Sequence, residues 1–182
     1  MTDGRDYPDE PAGPFPTPPT TVEDREGRSI TVRRYDEERD REALESMYAA
    51  FDPADRAQGI PPTGEDRIAD WLDAITSGDA VNVVACHGDD IAGHATLVPD
   101  SDETVVAAEL AIFVLQAYQG AGIGTHLIET LLGAGEEAGV ERVWLTVERW
   151  NEPAISLYEK VGFEPSDTES FEHEMTIRLA EG

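Results

Sequence analysis

Eight consecutive residues, Tyr118-Gln119-Gly120-Ala121-Gly122-Ile123-Gly124-Thr125, have the types and spacing to hold a phosphorylated ligand. Glycines at alternate positions leave the main chain bare, so several N–H groups can approach one anion closely. An apolar run, Leu110 to Leu115, precedes the segment, and a helix-period pattern follows it. A helix starting there adds the positive end of its dipole at the same spot. Strand, glycine turn and helix together suit a diphosphate. The usual phosphate motifs fit poorly. A P-loop needs Lys-Ser or Lys-Thr after its last glycine, and Gly124 is followed by Thr125 and His126. A dinucleotide fingerprint needs glycine or alanine where Thr125 stands. A formal match, Gly133-Ala134-Gly135-Glu136-Glu137-Ala138, lies at the far end of the helical pattern and does not follow a strand.

A second constellation lies downstream. Val143-Trp144-Leu145-Thr146-Val147 reads as a strand, and Asn151-Glu152-Pro153-Ala154-Ile155-Ser156-Leu157-Tyr158-Glu159-Lys160-Val161-Gly162-Phe163 as a capped helix ending at glycine. Taken together, the two segments resemble the GNAT acetyltransferase superfamily. Gln119, Gly122 and Gly124 fill its acyl-CoA loop pattern: Arg or Gln, two residues, Gly, one residue, Gly or Ala. The strand, Asn, helix, Leu-Tyr, Gly-Phe succession is similar to its C-terminal signature.

The resemblance implies an α/β fold with a mixed central sheet of about six to seven strands flanked by four helices. It implies acetyl-CoA as cosubstrate and an N-acetyltransferase that passes an acetyl group to a primary amine by direct attack in a ternary complex. In that fold the strand ending near Leu115 and the strand Arg142 to Val147 splay apart around the pantetheine arm. The arm would then lie against Ile112, Phe113 and Val114, and the Val114 N–H would serve the thioester carbonyl. The diphosphate would rest on Gly120, Ala121, Gly122, Ile123, Gly124 and Thr125. Asn151 can cap its helix, and by resemblance it also contacts pantetheine. Tyr158 follows it by seven residues, two helical turns, so both side chains face one way. A phenol there can protonate the departing thiolate, the role the superfamily gives this tyrosine.

The group that takes the amine's proton is not marked. Ribosomal-protein alanine acetyltransferases use a glutamate on the strand that here carries Thr146, so that candidate is missing. Glu109, Glu148 and His94 are left, with Glu109 the candidate carried forward. Two other readings stand beside the enzyme: a non-catalytic acyl-CoA sensor or interaction module of the same fold, and a nucleotide-binding protein using the same glycines. The acceptor is an amine-bearing small molecule or a protein or peptide substrate. GNAT domains often pair through their C-terminal strands, so a homodimer is among the expectations.

Composition narrows the partners. The 182 residues carry 13 cations and 39 carboxylates, a net charge of −26, and Lys160 is the only lysine. With no basic patch, nucleic-acid binding is not expected. So acidic a composition resembles proteins of salt-accumulating organisms, where a Debye length of about 3 Å screens self-repulsion. Cys86, the only cysteine, lies in an apolar run and reads as a small hydrophobe. His87, His94, His126 and His173 lack metal-ligand spacing, so no metal is expected. Apolar runs are too short for a bilayer, and the N-terminus has no signal-peptide pattern; a cytoplasmic protein is expected.

Along the chain, residues 1–28 hold six of the twelve prolines and read as a disordered acidic tail. The domain is expected over 29–182, in the order βααβββαβαβ with a short strand near Phe163. Its helices carry Leu44, Met47, Tyr48 and Phe51, then Ile68, Trp71, Leu72 and Ile75, then Ile123, Leu127, Ile128, Leu131 and Leu132 on single faces. His87-Gly88-Asp89-Asp90 joins a hairpin. Trp71 and Trp144 read as core, and Trp150 as either packed or at the acceptor mouth.

Overall fold

A computed structural model of the chain describes residues 7–51, 61–100, 107–166 and 172–179. Eight strands form one mixed sheet: β1 (Thr20–Glu23), β2 (Ser29–Arg34), β3 (Val81–His87), β4 (Asp90–Pro99), β5 (Ala107–Val114), β6 (Arg142–Glu148), β7 (Glu164–Ser166) and β8 (Glu172–Arg178). Their order across the sheet is β1-β2-β3-β4-β5-β6-β8-β7. Neighbours are antiparallel except β5 and β6, which run parallel because α3 crosses between them.

Four helices cover the faces: α1 (Glu37–Ala49), α2 (Glu65–Ile75), α3 (Ile123–Glu137) and α4 (Glu152–Val161). The Asp36 side chain starts α1 by accepting from the Arg39 N–H at 2.9 Å, and Glu37, Glu38 and Asp40 place negative charge in its first turn. On one face of the sheet Leu44, Met47 and Tyr48 of α1 meet Ile68 and Leu72 of α2 over Val84, Cys86 and Ile91. The opposite face is the larger core, where Leu127, Ile128, Leu131 and Leu132 of α3 and Tyr158 and Val161 of α4 cover Val83, Ala95, Leu110, Val143 and Ile177. Asp40 ties α1 to β2, its carboxylate taking both terminal nitrogens of Arg33 at 2.6 and 2.8 Å and the Asp36 N–H at 2.8 Å.

The domain starts earlier than the proline content implies. β1 pairs with β2 from Thr20↔Val32 to Glu23↔Ser29, inside the stretch assigned to a tail. Ahead of it the Ala12 N–H bonds to the Arg178 carbonyl at 2.7 Å, and Ala12 and Phe15 pack on the larger core. Prolines exclude a helix there, but an edge strand and an extended strap need few main-chain donors, so they tolerate the composition. Thr20 fixes β1 to α3 through its hydroxyl, 2.8 Å from His126 Nε2 and 2.9 Å from Thr130 Oγ1. The extra strand raises the sheet from the six or seven expected to eight.

Of the expected strand from Thr104 to Leu115, the portion before Ala107 lies outside the described residues, as do most of the linker after Phe51 and the start of the last strand at Phe171.

Candidate active site

The parallel ladder between β5 and β6 is short. It joins Ala107↔Arg142, Ala108↔Val143 and Glu109↔Trp144 and stops, although β5 continues to Val114 and β6 to Glu148. The strands therefore part after Glu109, opening a slot that α3 and α4 border on one face. On the other edge of β5 the ladder with β4 runs on to Gly93↔Val114, and the Leu115 N–H reaches the Ala92 carbonyl at 2.9 Å. Main-chain groups alternate direction along a strand, so the Val114 N–H and C=O point away from β4, into the slot. Side chains alternate too. Ile112 and Val114 pack toward the larger core, and Phe113 joins the α1/α2 cluster.

The glycine segment is built as a turn, a cap and a first helical turn. A single 3₁₀ turn, Gln116–Tyr118, precedes it. Gly120 and Gly122 have φ of 75° and 92°, values an L side chain strains to adopt, and Gly122 is the residue before α3. Gly124 falls within the helix, where an added Cβ would touch Leu157 of α4 at 3.4 Å. Ile123, Gly124 and Thr125 lack intrahelical acceptors for their N–H groups because they form the first turn. The predicted stretch Gly120 to Thr125 is thus one contiguous turn with outward donors. The Gln119 side chain reaches the edge of the slot, where its amide donates to the Val114 carbonyl at 2.9 Å.

Two residues absent from the sequence-based set hold this turn from behind. The Arg25 main-chain N–H donates to the Ala121 carbonyl at 3.0 Å, and its guanidinium to the Gly120 carbonyl at 3.3 Å. Arg28 donates to the Ala117 carbonyl at 3.2 Å and lies 4.4 Å from the centre of the Tyr118 ring. Between them Asp24 shapes the hairpin turn. Burial would raise its carboxyl, but hydrogen bonds from Arg28 and Glu26 outweigh that and hold it below its usual range. The signal was legible: two arginines in a strongly acidic chain, flanking the Glu26-Gly27 turn. Reading the stretch as a tail concealed it.

Asn151 caps α4, its Oδ1 accepting from the Ala154 N–H at 3.3 Å. Tyr158, on the same helix, is 9 % exposed and packs edge-on against Phe163 at 5.9 Å between ring centres. Its hydroxyl has no hydrogen-bond partner among the described residues and is not one of the enclosed unpaired atoms. Burial pushes its pKa up to about 12, so the proton stays on at neutral pH.

His94 is fully buried between two partners. Asn82 gives its Nδ2 to the Ile75 carbonyl at 3.1 Å, so Oδ1 faces His94 Nε2 at 2.7 Å. Nε2 must then carry the proton, and Nδ1 accepts from the Tyr48 hydroxyl at 2.6 Å. Desolvation lowers its pKa to about 3. With both nitrogens occupied and so low a basicity, His94 is structural, which removes it from the three candidates left for the base.

Glu109 sits on the same face of β5 as Phe113, and five residues of strand, about 16 Å, separate it from Val114. Trp144 is only half-buried and donates to Asp100 Oδ1 at 2.9 Å, contrary to a core placement. Trp150 is 75 % exposed, which excludes a packing role.

A model of the Acetyltransferase (GNAT) family matches residues 41–163. The L-amino acid N-acetyltransferase of Escherichia coli strain K12 is 27 % identical over 143 residues, covering 77 % of this chain and 86 % of that protein. Among solved structures, the GNAT domain of S. lividans PAT superposes with a TM-score of 0.77 at 20 % identity, covering 88 % of this chain and 97 % of its own. A putative acetyltransferase from Salmonella typhimurium, solved with its cofactor acetyl-CoA, superposes with a TM-score of 0.65 at 20 % identity, covering 84 % and 95 %. The parted strands, the glycine turn and these matches lead to one conclusion: the chain belongs to the GNAT acetyltransferase family.

Proposed function

We propose that the protein is an acetyl-CoA-dependent N-acetyltransferase acting on a primary amine by direct transfer. The observation that carries this reading is the early end of the β5–β6 ladder, with the Val114 N–H turned into the resulting slot and no strand to receive it. The Salmonella neighbour, solved with acetyl-CoA, and the Escherichia coli relative, an L-amino acid N-acetyltransferase, support it.

Acetyl-CoA supplies the acetyl group already activated as a thioester. The open edge of β5 at Ile112 to Val114 receives the pantetheine arm as an added strand. Phe113 fixes that edge from the other face through its contacts with Tyr48 and Trp71. N–H groups from Gly120 to Thr125 hold the diphosphate. Asn151 spends Oδ1 on the helix cap and keeps its Nδ2 donors for the pantetheine amides. The Val114 N–H donates to the thioester oxygen as negative charge grows there, and Tyr158 delivers its proton to the departing sulfur.

Strand register favours Glu148 over Glu109 as acceptor of the amine's proton. Glu109 is level with Trp144 where the ladder ends, and Glu148 lies four residues further along β6, in the part of the strand that has left β5. By the period of two, Glu148 also shares the face of Trp144 and Glu109. It is therefore carried by the stretch of β6 that borders the slot, whereas Glu109 is about 16 Å upstream of Val114.

The test is thiol release from acetyl-CoA across a panel of amines, in dilute buffer and in molar KCl, where the acidic chain's self-repulsion is screened. Amine-dependent thiol release supports transfer. Coenzyme binding without release for any amine favours the sensor reading, and no coenzyme binding in either salt regime overturns both.

A further inference from the structure

Four aromatic rings meet on the α1/α2 face of the sheet, at the end of β5. Phe113 is their centre: Trp71, Tyr48 and Phe51 stand edge-to-face with it at 5.3, 5.6 and 6.1 Å between ring centres. Tyr48 comes from α1, Phe51 from just past its end and Trp71 from α2, so only the fold brings them together. Tyr48 is 3 % exposed and forms the floor. Phe51, Trp71 and Phe113, with Leu115 beside them, are half-buried and leave apolar surface open. Rings that served packing alone would gain more from full cover. The floor is also uncharged. The Tyr48 hydroxyl donates to His94 Nδ1 at 2.6 Å, and Asn82 Oδ1 accepts from His94 Nε2 at 2.7 Å. Burial raises the phenol and lowers the imidazole, so neither ionises at working pH.

We propose that Phe51, Trp71 and Phe113 select the acceptor, and that it is a primary amine carrying an aromatic ring or a bulky apolar group close to its nitrogen. The proposal rests on the transfer reading above and names the substrate class which that reading leaves open. α3 and α4 border the slot on one face, so an amine meets the thioester from the other, the face that carries Phe113. Phe113 adjoins Val114, about 3.4 Å along the strand from the residue whose N–H serves the thioester oxygen in that reading. Glu148, the proton acceptor in the same reading, shares this face. A net charge of −26 draws any ammonium toward the protein but does not choose among amines, since all of them carry that charge. Selection therefore falls to the substituent. Uncharged rings hold an apolar group by burial and edge-to-face contact. A carboxylate or a second ammonium buried among them would lose its hydration and find no opposite charge on the rings.

The experiment is steady-state thiol release by the full chain in molar KCl with 2-phenylethylamine, propylamine and 1,4-diaminobutane, rates being expressed per free amine. Wild-type kcat/KM for 2-phenylethylamine should exceed that for propylamine by about thirtyfold, the worth of burying one aromatic ring. In Phe51→Leu and in Trp71→Leu that ratio should fall to about fivefold. All three amines use one coenzyme site, so any disturbance of it by the substitutions cancels in the ratio. Trp71→Phe, the smaller change, should give a ratio between those of Trp71→Leu and wild type, and it serves where a leucine variant does not fold. A wild-type ratio near one, or a preference for the diamine over 2-phenylethylamine, overturns the proposal and leaves the transfer reading intact. A ratio that stays the same in every variant does so too. Absence of thiol release with all amines, these three and the wider panel, overturns the transfer reading and this proposal with it.

Discussion

The side-chain amide of Gln119 donates to the main-chain carbonyl of Val114 across 2.9 Å, closing the path from the end of β5 to the start of the glycine turn. The N–H and C=O of a strand residue point to the same side, so this bond steadies the residue whose N–H we propose serves the thioester. Gln119→Ala should raise KM for acetyl-CoA and lower kcat, each by about fivefold, the worth of one ordinary hydrogen bond. Steady-state kinetics with varied acetyl-CoA checks it; a change in KM for the amine alone would count against the link.

Tyr158→Phe removes a proton and little volume from a site that has no other partner for the hydroxyl. Turnover should fall by about a hundredfold with CoA affinity nearly unchanged. Because burial holds the phenol near 12, the acid is fully protonated at every practical pH. Wild-type turnover should therefore show no alkaline decline below about pH 11 from loss of this proton. A decline centred near pH 8 that disappears in Tyr158→Phe would contradict the assignment.

Glu148→Gln should reduce turnover at neutral pH by about a hundredfold, with the loss shrinking as pH rises and the free amine accumulates. Glu109→Gln should cost less than about threefold, since its carboxylate stands too far upstream to meet the amine. Comparison of pH–rate profiles for the two variants decides between them.

Acid should unfold the protein in two stages. Desolvation lowers the folded pKa of His94 to about 3 from an ordinary 6.5, so the unfolded chain takes up a proton first. Its contribution is present above 6.5 and is lost as pH falls, by about 1.4 kcal/mol per pH unit. Asp40 is likewise depressed, to about 2 from 3.8: burial opposes ionisation, but the Arg33 guanidinium and the Asp36 and Arg39 bonds prevail. Its contribution, about 2 kcal/mol, is present above pH 4 and disappears toward pH 2. Urea titrations between pH 7 and 3 should show stability falling from pH 6.5. In His94→Gln the loss should begin only near pH 4.

Gly133→Ala tests the N-terminal strap. Alanine is the better helix former by about 1 kcal/mol, yet an added Cβ on α3 would overlap the Pro16 carbonyl. The substitution should destabilise the full chain by about 1–3 kcal/mol. In a chain lacking residues 1–19 the same substitution should be neutral or stabilising. Thermal unfolding of the four proteins gives the coupling directly; equal effects in both backgrounds would mean the strap does not rest on α3 in solution.

Local chemistry wrote much of this molecule into its sequence. The glycine turn, the Asn151 cap, the faces of α1 to α4 and the β3–β4 hairpin each depend on residues close together in the chain. Their periodicity and conformational needs are therefore visible without a structure. The placement of Tyr158 on α4, two helical turns from Asn151, was legible for the same reason. Relationships between distant segments were not. The point at which β5 and β6 part and the bond from Gln119 to Val114 depend on register and strand direction, which no periodicity encodes. His94 stayed among the three base candidates until Tyr48 and Asn82 came to occupy its two nitrogens. Residues 7–28 lacked a helical or strand period of their own, because their order comes from surfaces that only the assembled sheet and α3 provide. Arg25 came to hold the glycine turn only because that hairpin lies against it.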